Sequence, residues 1–386
     1  MIEEKNEKID KYFYTVYFIW GIWAQINNSV NVRIPFQSAI SSIANVFMIV
    51  SMFFCLLFLL IESNFRVPID KVICLVLFVF LILILTKNQS PLTFLATFSL
   101  IIVAGNFNFN NILKTYLHFT GLLLLLVISL YYLGKIPPAM IAGLNLRMRT
   151  SLGFSYYTYA SQLLFYFTLA YGVYKNRTIT YWELALLELA NLFVFYSTNT
   201  RNPFTLSTFF IICIFINKLV KDKFFSLELK PLKYIFMFIF PICFVSLVII
   251  TFYISANKFE EYNTLLSGRL WLNRLGIERW GIHVLGQKIA FNTFSNGVVS
   301  NNYDFIDSSY FQMLLVNGWL FFGIILILFT QVCREAIKQK NIFLSIALCL
   351  IAIQSMFDPQ LLMPWYSPFC LLLGNTFAIR KLGNNL

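Results

Sequence analysis

Histidine is almost missing from this chain, whose 386 residues hold only His118 and His283. Two imidazoles without a nearby carboxylate cluster do not make a metal site, which argues against a metalloenzyme. The seven cysteines stand singly in apolar runs or at their ends, with no Cys-x-x-Cys pair. They read as small hydrophobes, not as a disulfide framework or a ligand set. Charge is scarce too: charged residues make up 12% of the chain. That is about half the share of an ordinary soluble domain.

What the chain has in abundance is apolar and aromatic surface: 59% of its residues are hydrophobic, with 43 Phe and 20 Tyr. Bulky apolar side chains suit lipid-facing helices, and tyrosine suits the interfacial belts at their ends. The charged opening MIEEKNEKIDK runs directly into an apolar stretch without the small-residue cleavage site of a secretory leader, so it is expected to stay on the chain. Runs long enough to cross about 30 Å of hydrocarbon lie near 12–26, 39–61, 70–86, 91–104, 115–134, 155–174, 181–197, 203–220, 232–255, 309–331, 342–356 and 361–379. The expectation is an all-α integral membrane protein of about twelve transmembrane helices, or eleven if one of the short or polar runs (12–26, 91–104, 342–356) stays interfacial. It reads as a single polytopic membrane domain, 1–386, in which one long external loop, 256–308, partly helical, joins spans nine and ten.

With both termini in the cytoplasm, 18 of the 29 Lys and Arg fall inside, 14 of them Lys, and the densest short loop (Lys218, Lys221, Lys223, Lys230, Lys233) is internal. This obeys the positive-inside rule. The external set is 4 Lys and 7 Arg. Topogenesis needs only positive charge, which lysine supplies equally well. An external excess of arginine therefore asks for a second role, and a bidentate grip on phosphate or carboxylate is the usual one.

The densest external cluster is TLLSGRLWLNRLGIERW, 264–280, which holds Arg269, Arg274 and Arg279. Thr264 or Ser267 can cap a helix here, and Arg274 with Glu278 is an i,i+4 pair. On such a helix, residues five apart are turned by about 140°. The three arginines therefore cannot share one ligand, and those left over reach for headgroups or water. Arg269, behind Ser267 and Gly268, is the first candidate for a functional role. Arg147 and Arg149 lie near the end of the external loop 135–154, and Arg201 leaves span seven in YSTNTRNPF. Within that span Glu188 is an intramembrane acid, either functional or paired with a polar group on a neighbouring helix. Asp307, Ser308 and Tyr310 open span ten, where helix capping is an equally good account. Asp358, in MFDPQLL, reads as a turn residue.

External arginines with a few acids suit a substrate that is anionic, membrane-bound and already activated, and a lipid diphosphate has all three properties. Arginine would stabilise the departing diphosphate. A carboxylate would take the proton of an attacking hydroxyl.

The run YNTLLSGRLWLNRL, followed by GQKIAF and IDSSYFQMLLVNGWLFFGIIL, resembles the C-terminal signature of the O-antigen polymerase and ligase superfamily, most of all its Gram-positive capsule and exopolysaccharide polymerase branch. RTSLGFSYYTYASQLLF is similar to the family's Arg-x-x-Leu-Gly-Phe stretch, and FYSTNTRNPF to its Thr-x-Ser-Arg exit motif; the likeness covers 147–330. Three departures stand out. Asp307-Ser308 replaces the His-Asn or His-Ser of the ligase branch, Thr200-Arg201 keeps the arginine but not the serine, and Tyr156-Tyr157 stands where many members carry His-Pro.

The resemblance implies a glycosyltransferase without metal or cofactor that polymerises undecaprenyl-diphosphate-linked oligosaccharide repeats at the outer face of a bacterial plasma membrane. Its surroundings would be membrane lipids, its candidate partners a chain-length regulator and a flippase, with no nucleic acid. It implies catalytic roles for Asp307 and Arg269, and substrate binding by Arg201, Arg147, Arg149, Ser267, Gly268, Tyr310 and Glu188. Two alternatives share the architecture: a ligase that passes a finished glycan to a lipid or protein, and a non-enzymatic flippase. A flippase would carry its basic residues in mid-membrane, whereas these arginines cluster at the outer ends of spans and in one late loop.

Overall fold

The computed structural model describes residues 2–65, 67–137, 139, 149–220, 230–295, 298–299 and 303–380. Among the described residues the fold is helical almost throughout, with one antiparallel pair of two-residue strands, Phe294–Ser295 against Val298–Val299. In order the α-helices are α1 (Ile2–Ser29), α2 (Gln37–Glu62), α3 (Ile69–Leu85), α4 (Pro91–Ala104), α5 (Phe109–Tyr132), α6 (Tyr159–Lys175), α7 (Tyr181–Thr198), α8 (Arg201–Leu219), α9 (Lys230–Met237), α10 (Ile239–Phe252), α11 (Ala256–Leu265), α12 (Arg269–Trp280), α13 (Ser309–Val316), α14 (Gly318–Lys338) and α15 (Ile342–Gln354).

Among the described residues five helices are long and apolar enough to cross a membrane: α2, α3 with its 3₁₀ extension to Asn88, α5, α8 and α14. A sixth counts if α10 and α11, bent by 120°, form one broken span. The other expected spans fall on elements that miss this standard by length or polarity. Two of those expectations change. The tenth span is interrupted at Asn317, because Gly318 takes a left-handed backbone (φ 87°) and splits α13 from α14. The twelfth is not an α-helix but turns followed by a 3₁₀ segment, Pro368–Phe377. Pro364 and Pro368 withhold backbone donors there, and Gly374 packs so closely on α4 that a Cβ would lie 2.0 Å from the Ile101 carbonyl oxygen.

Packing gathers the chain into two compact units: Met1–Val76, Leu92–Ser226 and Leu362–Leu386 in one, Leu77–Pro91 and Leu227–Leu361 in the other. In the first unit α1 packs on α2 and α5, α5 on α6, and α6 on α7 and α8. Its core is aromatic: Tyr17 and Tyr116 each meet Phe119 edge-on, and all three are fully buried. Gln25, the polar residue of the first run, is fully buried and donates to Thr120 Oγ1 (2.8 Å) and the Trp365 carbonyl (2.6 Å). Such pairing is what an amide within an apolar bundle requires.

Hydrogen bonds sort the helix ends of this unit. At one end Phe13 stacks on Phe107, the Asn106 side chain accepts from the backbone N–H groups of Ile379 and Arg380, and Arg380 pairs with Asp10 (2.7 Å) and Glu62 (2.9 Å). At the other end the Ser155 N–H donates to Ser29, the Thr150 N–H to Ser197, and Ser29 Oγ meets the Tyr366 hydroxyl at 2.7 Å. The start of α1 and the last described residues therefore share an end.

In the second unit α14 packs on α9, α10, α13 and α15, and α12 on α10, α11 and α13. The segment after α12 returns to the break between α13 and α14, where the Trp319 N–H donates to the His283 carbonyl and the Gln287 N–H to that of Val316. Two left-handed glycines make this approach: a Cβ on Gly286 would stand 2.0 Å from the Val316 carbonyl oxygen, and one on Gly318 2.3 Å from that of Val284. The described part of the loop 256–308 thus folds onto the helices of its own unit.

Candidate functional site

The site grows from the turn before α12. Ser267 (φ 58°) and Gly268 (φ 84°) are both left-handed, a backbone that places glycine where it is least strained and makes Gly268 the helix N-cap. Neither Thr264 nor Ser267 caps the helix, contrary to expectation, because a left-handed Gly268 occupies that position. Instead the Asn263 side chain accepts from the Trp271 N–H at 3.0 Å. The helix buries Leu270, Leu272, Asn273 and Gly276. Gly276 lies against Ile306, where a Cβ would come within 2.4 Å of the Ile306 side chain. That contact seats α12 against the residue before Asp307.

The three arginines of α12 go to three places, as helical geometry demands. Arg269 Nε donates to Asp307 at 3.1 Å, and its Nη2 stands 4.0 Å from Asp358. Arg274 donates to the Thr251 carbonyl and lies over the Phe259 ring, 3.5 Å from its centroid. Arg279 pairs with the buried Asp304 at 2.5 Å, whose other contacts are the backbone and side chain of Asn292. Arg279 and Arg274 therefore fasten the segment, and Arg269 meets the acids.

Ser308, not Asp307, caps α13 by accepting from the Phe311 N–H. Asp307 is thereby left to pair with Arg269. The first turn of α13 is fixed to the end of α15: the Ser309 N–H donates to the Ser355 carbonyl, Ser309 Oγ to that of Asp358, and the Tyr310 hydroxyl to that of Ala352 at 2.9 Å. Tyr310 is fully buried, so its hydroxyl serves packing within the unit. The same stitching brings Asp358 to the site. Its side chain is 5% exposed, against 24% for Asp307, and it accepts from the Gln354 amide. Crowding by protein atoms pushes the Asp307 carboxyl above the usual aspartate range, and the charge and hydrogen bond of Arg269 oppose that rise without cancelling it.

The remaining expected site residues belong to the first unit. Arg149 lies 4.5 Å over the Tyr157 ring, whose hydroxyl accepts from Tyr156. Arg201 opens α8 and is exposed. Glu188 accepts from Thr208 on α8 at 2.9 Å, while its second carboxylate oxygen is buried without a partner in the structure. This is the pairing with a neighbouring helix that an intramembrane acid calls for. Arg147 lies outside the described residues.

The structure therefore unites Arg269 and Asp307, with Ser267 and Gly268 adjacent in the chain. A Cβ on Gly268 would meet nothing within 4 Å, so the turn before Arg269 is open. Asp358 is the member that reading the sequence assigned to a turn. Its only signal was an acid in an apolar stretch with no base nearby. Family models, curated proteins and solved structures were all compared with the chain, and none matches.

Proposed function

We propose that the chain is a twelve-span polymerase of undecaprenyl-diphosphate-linked oligosaccharide repeats, working at the outer face of a bacterial plasma membrane with both termini in the cytoplasm. The observation that carries this reading is the Arg269–Asp307 pair, a cation and a base of raised affinity for protons beside the open Ser267-Gly268 turn. The acceptor's hydroxyl oxygen attacks the anomeric carbon of the donor sugar. The bond from that carbon to the diphosphate breaks, its electron pair leaves on the phosphate oxygen, and the hydroxyl proton passes to Asp307. Arg269 turns to the diphosphate and stabilises the charge that develops there. Arg149 and Arg201 of the first unit are further candidates for anion binding. The shared end of the first and last described residues supports an even number of crossings.

Deletion of the gene in the source organism tests the reading. A polymerase leaves surface material of single repeats, whereas loss of every external repeat would indicate transport. Purified protein given lipid-linked repeats alone separates polymerase from ligase, since only a polymerase makes a ladder without a second acceptor.

A further inference from the structure

Arg269 lies between two acids. Asp307 accepts from Nε at 3.1 Å, and Asp358 stands 4.0 Å from Nη2 with a side chain only 5% exposed. A guanidinium locked wholly to Asp307 would hold the base ionised and weak, and would itself be withheld from an arriving diphosphate. A second, immobile anion relieves both constraints. Asp358 is built to be immobile: the Gln354 amide donates to its carboxylate, its N–H donates to the Gln354 carbonyl, and its carbonyl accepts from Ser309 Oγ.

We infer that Asp358 is the resident counter-ion of Arg269, a positioning residue that shares the guanidinium with Asp307 and so lets Arg269 turn to an anionic substrate while Asp307 takes up a proton. The inference rests on the polymerase reading for its substrate, and on the geometry alone for the coupling of the three groups. The charged neighbours of Asp307 are few. α10, α13 and α15 carry no charged side chain. On α12, Arg274 is turned to Thr251, Arg279 is engaged by Asp304, and Glu278 is exposed. Tyr310 donates its hydroxyl to Ala352. Burial raises the Asp307 proton affinity, and Arg269, the charge that opposes it, is the group through which Asp358 would act.

The test is the proton affinity of Asp307, read by infrared difference spectroscopy of the purified protein as the carboxyl band that Asp307→Asn removes. Removing the negative charge of Asp358 gives Asp307 the whole of Arg269, so the titration midpoint should fall by about one pH unit in Asp358→Asn. Asp358→Ser is a second neutral variant should the amide disturb folding, and Asp358→Glu, which keeps the charge, should keep the wild-type midpoint. In the ladder assay the neutral variants should lose at least about tenfold in rate and the glutamate variant should recover most of it. A midpoint that stays or rises in the folded neutral variants overturns the inference. Failure of the wild-type protein to make a ladder, with the midpoint still falling, would overturn the polymerase reading and leave the counter-ion role standing.

Discussion

At the scale of single residues, the pairing of Arg269 with Asp307 singles out two of many charges as the proposed reacting groups, and each partner makes a distinct prediction. Asp307→Asn keeps the shape but removes the proposed base, so polymer formation should fall by about 10²–10⁴-fold, measured as ladder yield from lipid-linked repeats. The acid limb of the wild-type pH profile reports protonation of Asp307 and should lie above the ordinary aspartate value, because desolvation raises that group. Arg269 lowers it, so Arg269→Gln should carry the limb to higher pH by about one unit or more in the residual activity. Arg269→Lys retains positive charge but not the planar fork; it should leave the limb near its wild-type position while costing about 10²-fold in rate. Wild-type rate in that variant would remove Arg269 from the site. Sequence reading reached both residues because an arginine in a loop expected to be external and an acid at a helix start are local features. It passed over Asp358, whose role depends on a partner far away along the chain, brought near by hydrogen bonds of Ser309 that no local pattern announces.

At the scale of elements, runs of apolar residues were legible and breaks within them were not. The tenth run reads as continuous from 309 to 331, yet α13 ends at Val316 and α14 begins at Gly318. The reason is tertiary: the backbone of 284–286 approaches Gly318 more closely than any side chain allows. A helical run cannot advertise a contact made by a segment thirty positions earlier. The same logic applies to α12, whose apolar content announced a helix but whose N-cap depended on two left-handed residues and a side chain from α11. Gly318→Ala should therefore destabilise the protein by about 3 kcal/mol, since the added methyl meets backbone atoms at a left-handed φ. Thermal unfolding in detergent measures this. Gly323→Ala on the same helix, where a Cβ meets nothing within 4 Å, is the control and should be neutral to stabilising by up to about 1 kcal/mol.

At the scale of the whole molecule, membrane class followed from composition alone, because exposing so much apolar and aromatic surface to water is not an option for a chain with so few charges. The number of crossings did not follow as directly. Among the described residues five or six helices meet the demands of length and composition, and the others are short, bent or polar enough that only their neighbours can hold them in an apolar layer. Residue Gln25 shows how that is managed, its amide donors paired to Thr120 and Trp365 inside the bundle. The count is open to direct measurement. In a variant whose seven native cysteines are replaced, a single cysteine at Lys288, in the loop that folds onto α13 and α14, should react in intact cells with a membrane-impermeant maleimide. One at Lys11 or at Lys340 should react only after the cells are opened, because the proposed twelve-span topology puts an even number of crossings between these positions and an odd number between each and residue 288. Labelling of all three from outside, or of none, would break the twelve-span topology. Failure of residue 288 alone to label from outside would remove Arg269 and Asp307 from the outer face on which the proposed reaction depends, since residue 288 and the site occupy one continuous segment between α10 and α13.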